Sequence, residues 1–215
     1  SSEKQANTVK VSCNKSGFDA ELLEGVTPDT LNQYEEYPDA KNSRICDFKK
    51  ENMKIYNTKK ACFTNHIRIW KKCLELNEPV VFLEQDVGNV RKWDNTSFNE
   101  ILILNADSAF KQSVFDHVEN KPWLRKGCCK YDNSPLIYRH NNQWKGSRMI
   151  PGTGSYAVTP KGAKRLLKKL ETYGWEQSDF FINSYNVDLE YIIPEYFNFK
   201  SDNLNMSHSI SWLSK

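Results

Sequence analysis

The fold is decided by residues 79–86, which have the sequence Pro-Val-Val-Phe-Leu-Glu-Gln-Asp. A short apolar run rich in β-branched residues predicts a strand covered on both faces, as in a parallel sheet. In an open α/β sheet, ligands bind beyond the carboxyl ends of the strands. Glu84 and Asp86 stand at such an end, and their spacing places both carboxylates on one side of an extended backbone. They can therefore bind one hard cation or its waters. The alternative is that they cap a turn in solvent.

A helix is predicted immediately before this strand, over residues 59–77, with Asn57 or Thr58 as its cap and Pro79 as its stop. Its apolar residues recur at spacings of three and four and share one face: Cys62, His66, Ile69, Trp70 and Cys73. His66 therefore points inward. We expect it to be a buried, hydrogen-bonded residue that braces the acidic strand end, rather than a metal ligand.

Further helices and strands alternate along the chain. Strands are predicted at residues 20–26, 101–104 and 154–158, and helices at residues 3–15 and from Pro160 to just before Gly174, with Thr159 as cap. Between residues 27 and 58 the pattern predicts loop and short helix. This alternation predicts one α/β domain over residues 1–215 with a mostly parallel central sheet.

The composition is that of a globular protein. The chain has 215 residues, 39% of them hydrophobic, and a formal net charge of +3. That charge leaves nucleic acid open as a partner without indicating it. The sequence contains neither a membrane-spanning apolar run nor a signal-peptide core, so we expect a cytoplasmic protein. Two of the six cysteines are adjacent and two share one helix, which favours reduced thiols over a disulfide framework.

Two blocks of the sequence resemble a known signature. Residues 61–66, Ala-Cys-Phe-Thr-Asn-His, followed by Trp70 and residues 80–87, resemble that of glycosyltransferase family 25, the lipopolysaccharide and collagen galactosyltransferase group. There a Gly-Cys-x-x-Ser-His helix leads into a strand ending Leu-Glu-Asp-Asp. Residues 151–163 resemble the family's Gly-Thr-x-x-Tyr-x-x-Ser-x-x-Ala segment. The resemblance implies a GT-A-like nucleotide-sugar transferase fold, Mn²⁺ or Mg²⁺ at the acidic motif, and a nucleotide-sugar donor such as a UDP-hexose.

The resemblance also implies roles for particular residues. Gln85 replaces the first aspartate of the family's pair, so Asp86 is the candidate metal ligand, with Glu84 beside it to help hold the metal and the donor pyrophosphate. The segment expected to shape the sugar pocket consists of Gly152, Thr153, Gly154, Ser155 and Tyr156. His208 is the second metal candidate, because transferases of this general fold often complete the metal sphere with a late histidine; the alternative is an exposed tail histidine.

Asp179 is the candidate general base. Residues 177–181, Gln-Ser-Asp-Phe-Phe, resemble the family's Val-Asp segment, and direct displacement with inversion needs a proton acceptor for the acceptor hydroxyl. The alternative is that Asp179 caps the helix that follows it.

The expected function is transfer of a hexose, with inversion, from a nucleotide sugar to a hydroxyl of a glycan, glycoprotein or lipid-linked acceptor. The chain is also similar to family members carried by large viruses and phages, which would place it in the host cytoplasm and make a modified nucleic-acid base an alternative acceptor. A non-catalytic carbohydrate-binding domain that kept the fold is a second alternative, suggested by Gln85. A metal-dependent phosphohydrolase would need denser clusters of carboxylates and histidines.

Overall fold

The computed structural model describes residues 2–41, 43–89, 91–111, 126–130, 149–150 and 152–199. The helices are α1 (Ser2–Lys15), α2 (Arg44–Glu51), α3 (Met53–Leu76), α4 (Ala106–Lys111), α5 (Pro160–Tyr173) and α6 (Ser178–Phe181), with a 3₁₀ turn at Leu31–Gln33. The strands are β1 (Val80–Leu83), β2 (Val87–Asn89), β3 (Ile101–Ile103), β4 (Gly127–Lys130), β5 (Ser155–Val158), β6 (Leu189–Ile193) and β7 (Phe197–Phe199).

The central sheet is mixed, and the prediction of a mostly parallel sheet is wrong. Five strands lie in the order β1-β5-β3-β6-β4, and of their pairings only β3–β6 is parallel. β1 runs antiparallel to β5, with Val80 opposite Val158. The apolar run at residues 80–83 correctly predicted a strand, but it reports burial and carries no information on strand direction. The GT-A-like description of the fold stays a prediction.

Both faces of this sheet are covered. Phe82, Tyr156 and Ile103 lie on the face that packs against α3 and α5. Leu102 and Ala157 lie on the opposite face, which packs against Val9 and Cys13 of α1. Burial on both faces explains why β3 is apolar along its whole length.

The helix α3 begins six residues earlier than the sequence predicted. Its N-cap is Asn52, whose side-chain oxygen accepts hydrogen bonds from the backbone N–H groups of Lys54 and Ile55 at 3.1 and 3.2 Å. At its other end, Asn77 takes a left-handed conformation with φ of 54°. The predicted helices at the start of the chain and after Thr159 are confirmed, and Thr159 caps α5 through a hydrogen bond to the N–H of Gly162.

The predicted strand at residues 20–26 is wrong, because this segment forms no strand. Leu22 and Leu23 are exposed, and the N–H of Val26 donates to the side-chain oxygen of Asn65 on α3 instead of to a neighbouring strand. All six cysteines are free. Among the helices that the structure describes, none combines the length and the apolar character needed to cross a membrane.

Candidate active site

A buried triad of aromatic side chains supports the end of β1. The hydroxyl of Tyr156 lies 2.9 Å from Nδ1 of His66 and accepts a hydrogen bond from Nε1 of Trp70 at 3.1 Å. Burial lowers the pKa of His66 to about 3, so the imidazole is neutral. Nδ1 of His66 then accepts the proton of the Tyr156 hydroxyl, which satisfies all three groups.

His66 also contacts the strand that carries the acids. Its ring centroid lies 4.4 Å from that of Phe82, two residues before Glu84. The prediction that His66 is a buried, hydrogen-bonded residue is confirmed. The hydroxyl of Tyr156 makes its hydrogen bonds to His66 and Trp70 inside the core, and the side chain of Tyr156 is fully buried.

Glu84 and Asp86 lie in the tight connection between β1 and β2. The N–H of Glu84 donates to the carbonyl oxygen of Gly154 at 2.8 Å, which ties the acidic segment to the start of β5. Both acidic residues are partly buried, whereas Gln85 between them is exposed. The carboxyl of Glu84 is therefore held against the protein and not in open solvent.

The ionisation of Glu84 is strongly perturbed. Burial raises its pKa to about 8, and repulsion from Asp86 and Asp179 acts in the same direction, while Lys59 opposes them. Carboxyl groups from two separate parts of the sequence therefore lie within electrostatic reach of Glu84. Perturbed groups of this kind concentrate at functional sites.

Asp179 is the second residue of α6 and not its cap. The N-cap is Gln177, and the Nε2 group of Gln177 donates to Oδ1 of Asp179 at 2.9 Å. Burial raises the pKa of the Asp179 carboxyl, whereas Lys59, Gln177 and the backbone of Gly152 lower it. The capping alternative is therefore wrong, and Lys59 acts on Asp179 as it does on Glu84.

Lys59 is the member of this cluster that the sequence analysis missed. It lies on α3 and acts electrostatically on Glu84, on Asp179 and on Cys62, whose pKa burial raises. Lys59 precedes the buried His66 by seven residues and therefore lies on the same side of the helix, whereas Cys62, which was predicted to share the inward face, is exposed. That spacing was the signal that could have identified it.

The residues predicted to shape the sugar pocket lie in two different settings, a loop before β5 and β5 itself. Gly152, with φ of 69°, lies beside Asp179, and the hydroxyl of Thr153 donates to that of Ser178 at 3.0 Å. Gly154 contacts Glu84 through its carbonyl group. Ser155 and Tyr156 belong to β5, and Ser155 lies on the opposite face of the sheet from Tyr156.

Asp86, Asp179 and Lys59 thus all act electrostatically on the carboxyl group of Glu84. In the described ranges, no group of three or more histidine, cysteine, aspartate or glutamate side chains is arranged to hold a metal ion. The predicted ligand His208 lies outside the described residues, so its role stays a prediction.

Comparison with known proteins bears on this arrangement. The model of the family described as Glycosyltransferase family 25 (LPS biosynthesis protein) matches residues 1–182. The match includes the acidic segment after β1, the glycine-containing segment before β5, and Asp179. No curated protein matches the chain.

Proposed function

The chain belongs to glycosyltransferase family 25, and from this premise we propose that it transfers a sugar from a nucleotide-sugar donor to a hydroxyl of a glycan acceptor at the cluster of Glu84, Asp86, Asp179 and Lys59. The family description, LPS biosynthesis protein, supports an acceptor of the lipopolysaccharide type. A UDP-hexose is the donor that we propose.

The observation that carries the proposal is that the carboxyl groups of Asp86 and Asp179 both raise the pKa of Glu84. Glu84 and Asp86 come from the end of β1, and Asp179 comes from α6, nearly 100 residues further along the chain. Their mutual repulsion opposes folding, so a purely structural role does not account for the arrangement. A site that binds a cation and moves a proton does account for it.

Glu84 and Asp86 fit a hard divalent cation of the Mn²⁺ or Mg²⁺ type. Such ions are commonly bound through one or two carboxylates together with the phosphates of the substrate, so a complete cage of protein ligands is not required. The pair supplies oxygen ligands only, which is the chemistry that these ions prefer. When bound, the ion would neutralise the negative charge that grows on the departing nucleotide.

Asp179 suits the role of general base. Its raised pKa increases the affinity of the carboxylate for a proton, while Lys59 opposes its protonation and the hydrogen bond from Gln177 orients it. In the proposed displacement, the acceptor hydroxyl passes its proton to Asp179 and its oxygen bonds to the anomeric carbon. The bond between that carbon and the phosphate oxygen breaks, the nucleotide departs, and the anomeric configuration inverts.

Lys59 contributes a fixed positive charge. Among partly buried carboxyl groups, such a charge limits their mutual repulsion and favours the binding of an anionic donor. It also opposes the protonation of Asp179 that burial favours.

The substitution Asp179→Asn tests the proposal. Asparagine keeps the oxygen that accepts from Gln177 but cannot take up the acceptor's proton, so transfer should fall about 100-fold or more with donor affinity nearly unchanged. Transfer is measured as UDP released from UDP-galactose or UDP-glucose in the presence of Mn²⁺ and a lipopolysaccharide core acceptor. Asp29→Asn, at an exposed position, serves as the matched control.

Two results would contradict this account. Transfer by Asp179→Asn within a few-fold of the parent protein would remove Asp179 from the mechanism. A loss of donor binding that parallels the loss of transfer would make Asp179 part of the donor site and not the base.

A further inference from the structure

Asn105, two residues after the end of β3, has a fully buried polar side chain with no hydrogen-bond partner among the described residues. Its Oδ1 and Nδ2 atoms are both buried, and neither meets a partner in the part of the chain that the structure describes. Buried polar groups in native proteins are nearly always hydrogen-bonded, so an unpartnered amide needs an explanation such as a bound ligand or water.

The local structure leaves this amide unused. An asparagine just before a helix ordinarily accepts a hydrogen bond from the N–H of the third helical residue. Before α4, that N–H belongs to Ser108 and donates to the carboxylate of Glu195 at 2.9 Å. Glu195 therefore makes the capping contact, and the side chain of Asn105 remains available for another partner.

The register of the sheet places Asn105 beside the candidate active site. Phe82, Tyr156 and Ile103 form one row across β1, β5 and β3, on the face that carries His66. Side chains alternate along a strand, so the next row on this face lies two residues further on. That row consists of Glu84, Gly154 and Asn105.

Hydrogen bonds beyond the strands support this extension. The N–H of Glu84 donates to the carbonyl of Gly154 at 2.8 Å, and the N–H of Leu104 donates to that of Ser155 at 3.1 Å. The pairing of β1 with β5 and of β3 with β5 therefore continues past the ends of the strands, towards the candidate active site. Glu84 also acts on the ionisation of Tyr156, which is consistent with their lying on the same face.

The centre of this row is a glycine. Gly154 has no side chain, so no side chain stands between Glu84 and Asn105 in this row. Two strand spacings amount to about 10 Å, so a ligand of the size of one sugar ring can contact both side chains.

We propose that Asn105 recognises the sugar of the donor, with its amide donating to and accepting from hydroxyl groups of that sugar. The inference rests on the proposed function and extends it to the choice of sugar. An asparagine amide offers donors and an acceptor in fixed positions, and sugar hydroxyls require both. A site that hydrogen-bonds a hydroxyl discriminates strongly against a ligand that cannot supply it in the same position.

The binding test uses Asn105→Leu, which keeps the approximate size of the side chain and removes its polar atoms. Affinities for UDP-galactose, UDP-glucose and UDP are measured by calorimetry with Mn²⁺ present. We expect unchanged affinity for UDP and an affinity for the preferred UDP-sugar lowered about tenfold, as expected for the loss of one or two hydrogen bonds. The ratio of the affinities for the two epimeric sugars should move towards one.

A second readout needs no ligand. Because the side chain of Asn105 has no hydrogen-bond partner in the described ranges, Asn105→Leu should leave the melting temperature unchanged or raise it. The matched control is Asn183→Leu, which should lower it. Asn183 is equally buried, but its amide donates to the carbonyl of Phe180 at 2.7 Å and accepts from the N–H of Tyr185 at 2.9 Å.

Three results would overturn the inference. A lowered melting temperature for Asn105→Leu would mean that the amide has a structural partner such as a buried water. UDP-sugar affinities equal to those of the parent protein would exclude recognition of the sugar, and an equal loss for UDP would move the contact to the nucleotide. If Asn105→Leu does not fold, Asn105→Ala, which adds no bulk, is put through the same comparison.

Failure of the proposed function has a different signature. In that case the unaltered protein binds neither UDP-sugar, and both ideas fall together. When the unaltered protein binds a UDP-sugar and the Asn105 variants bind it equally well, only the inference on Asn105 fails.

Discussion

The hydroxyl of Tyr156 is expected to stabilise the fold rather than to bind substrate, and Tyr156→Phe separates these roles. The substitution leaves the ring in place and removes the oxygen that joins Nδ1 of His66 to Nε1 of Trp70. Two buried nitrogen atoms then lose their partner. Each buried group left unsatisfied costs about 1 to 3 kcal/mol, so the free energy of unfolding should fall by about 2 kcal/mol or more.

Urea denaturation measures this loss, with an unchanged dependence on urea concentration as the sign that only stability has altered. Tyr185→Phe is the matched control, because Tyr185 is exposed and its hydroxyl lies 3.1 Å from the hydroxyl of Tyr173 and not in the core. Its effect should stay within about 0.5 kcal/mol. A Tyr156→Phe protein of undiminished stability that binds UDP-sugars more weakly would refute the reasoning and make Tyr156 a sugar contact.

Two further predictions concern charge in the active site. Lys59→Met removes the positive charge that opposes protonation of Asp179 and Glu84, so the acidic limb of the pH–rate profile should move up by about one pH unit. The control is Lys60→Met, which should leave the profile in place. Lys60 forms an ion pair with Glu36 at 3.1 Å. The folded-state pKa of Glu84, about 8, lies above its unfolded value, so the stability that it contributes is lost as pH rises towards 8. Between about pH 5 and pH 8 the melting temperature should therefore fall more steeply for the parent protein than for Glu84→Gln, and parallel curves would contradict the raised pKa.

Local signals in the sequence predicted the elements well. Thr159, Pro160 and Gly174 mark the two ends of α5, and the apolar run at residues 80–83 marks β1. The early start of α3 was missed because its first turn, after Asn52, carries little apolar periodicity. The false strand at residues 20–26 had a suitable composition, but no neighbouring strand pairs with it.

Non-local contacts explain what the sequence did not predict. The antiparallel partner of β1 lies more than 70 residues away, and a buried strand is apolar whichever way its neighbour runs. Lys59 acts on Asp179 across the fold, and Asn105 loses its capping role to the distant Glu195. By contrast, the prediction for His66 succeeded because the spacing of apolar residues along a helix determines which face is buried.

The most direct test of the central claim is the thermal shift produced by UDP-galactose and UDP-glucose, with and without Mn²⁺, in the parent protein and in Asp86→Ala. A ligand that binds only the folded state raises the melting temperature by mass action. We predict that one UDP-sugar raises it in the parent protein only when Mn²⁺ is present, and that Asp86→Ala folds but shows no such shift. An equal shift in Asp86→Ala, or none in the parent protein with any UDP-sugar, would contradict the assignment of this site.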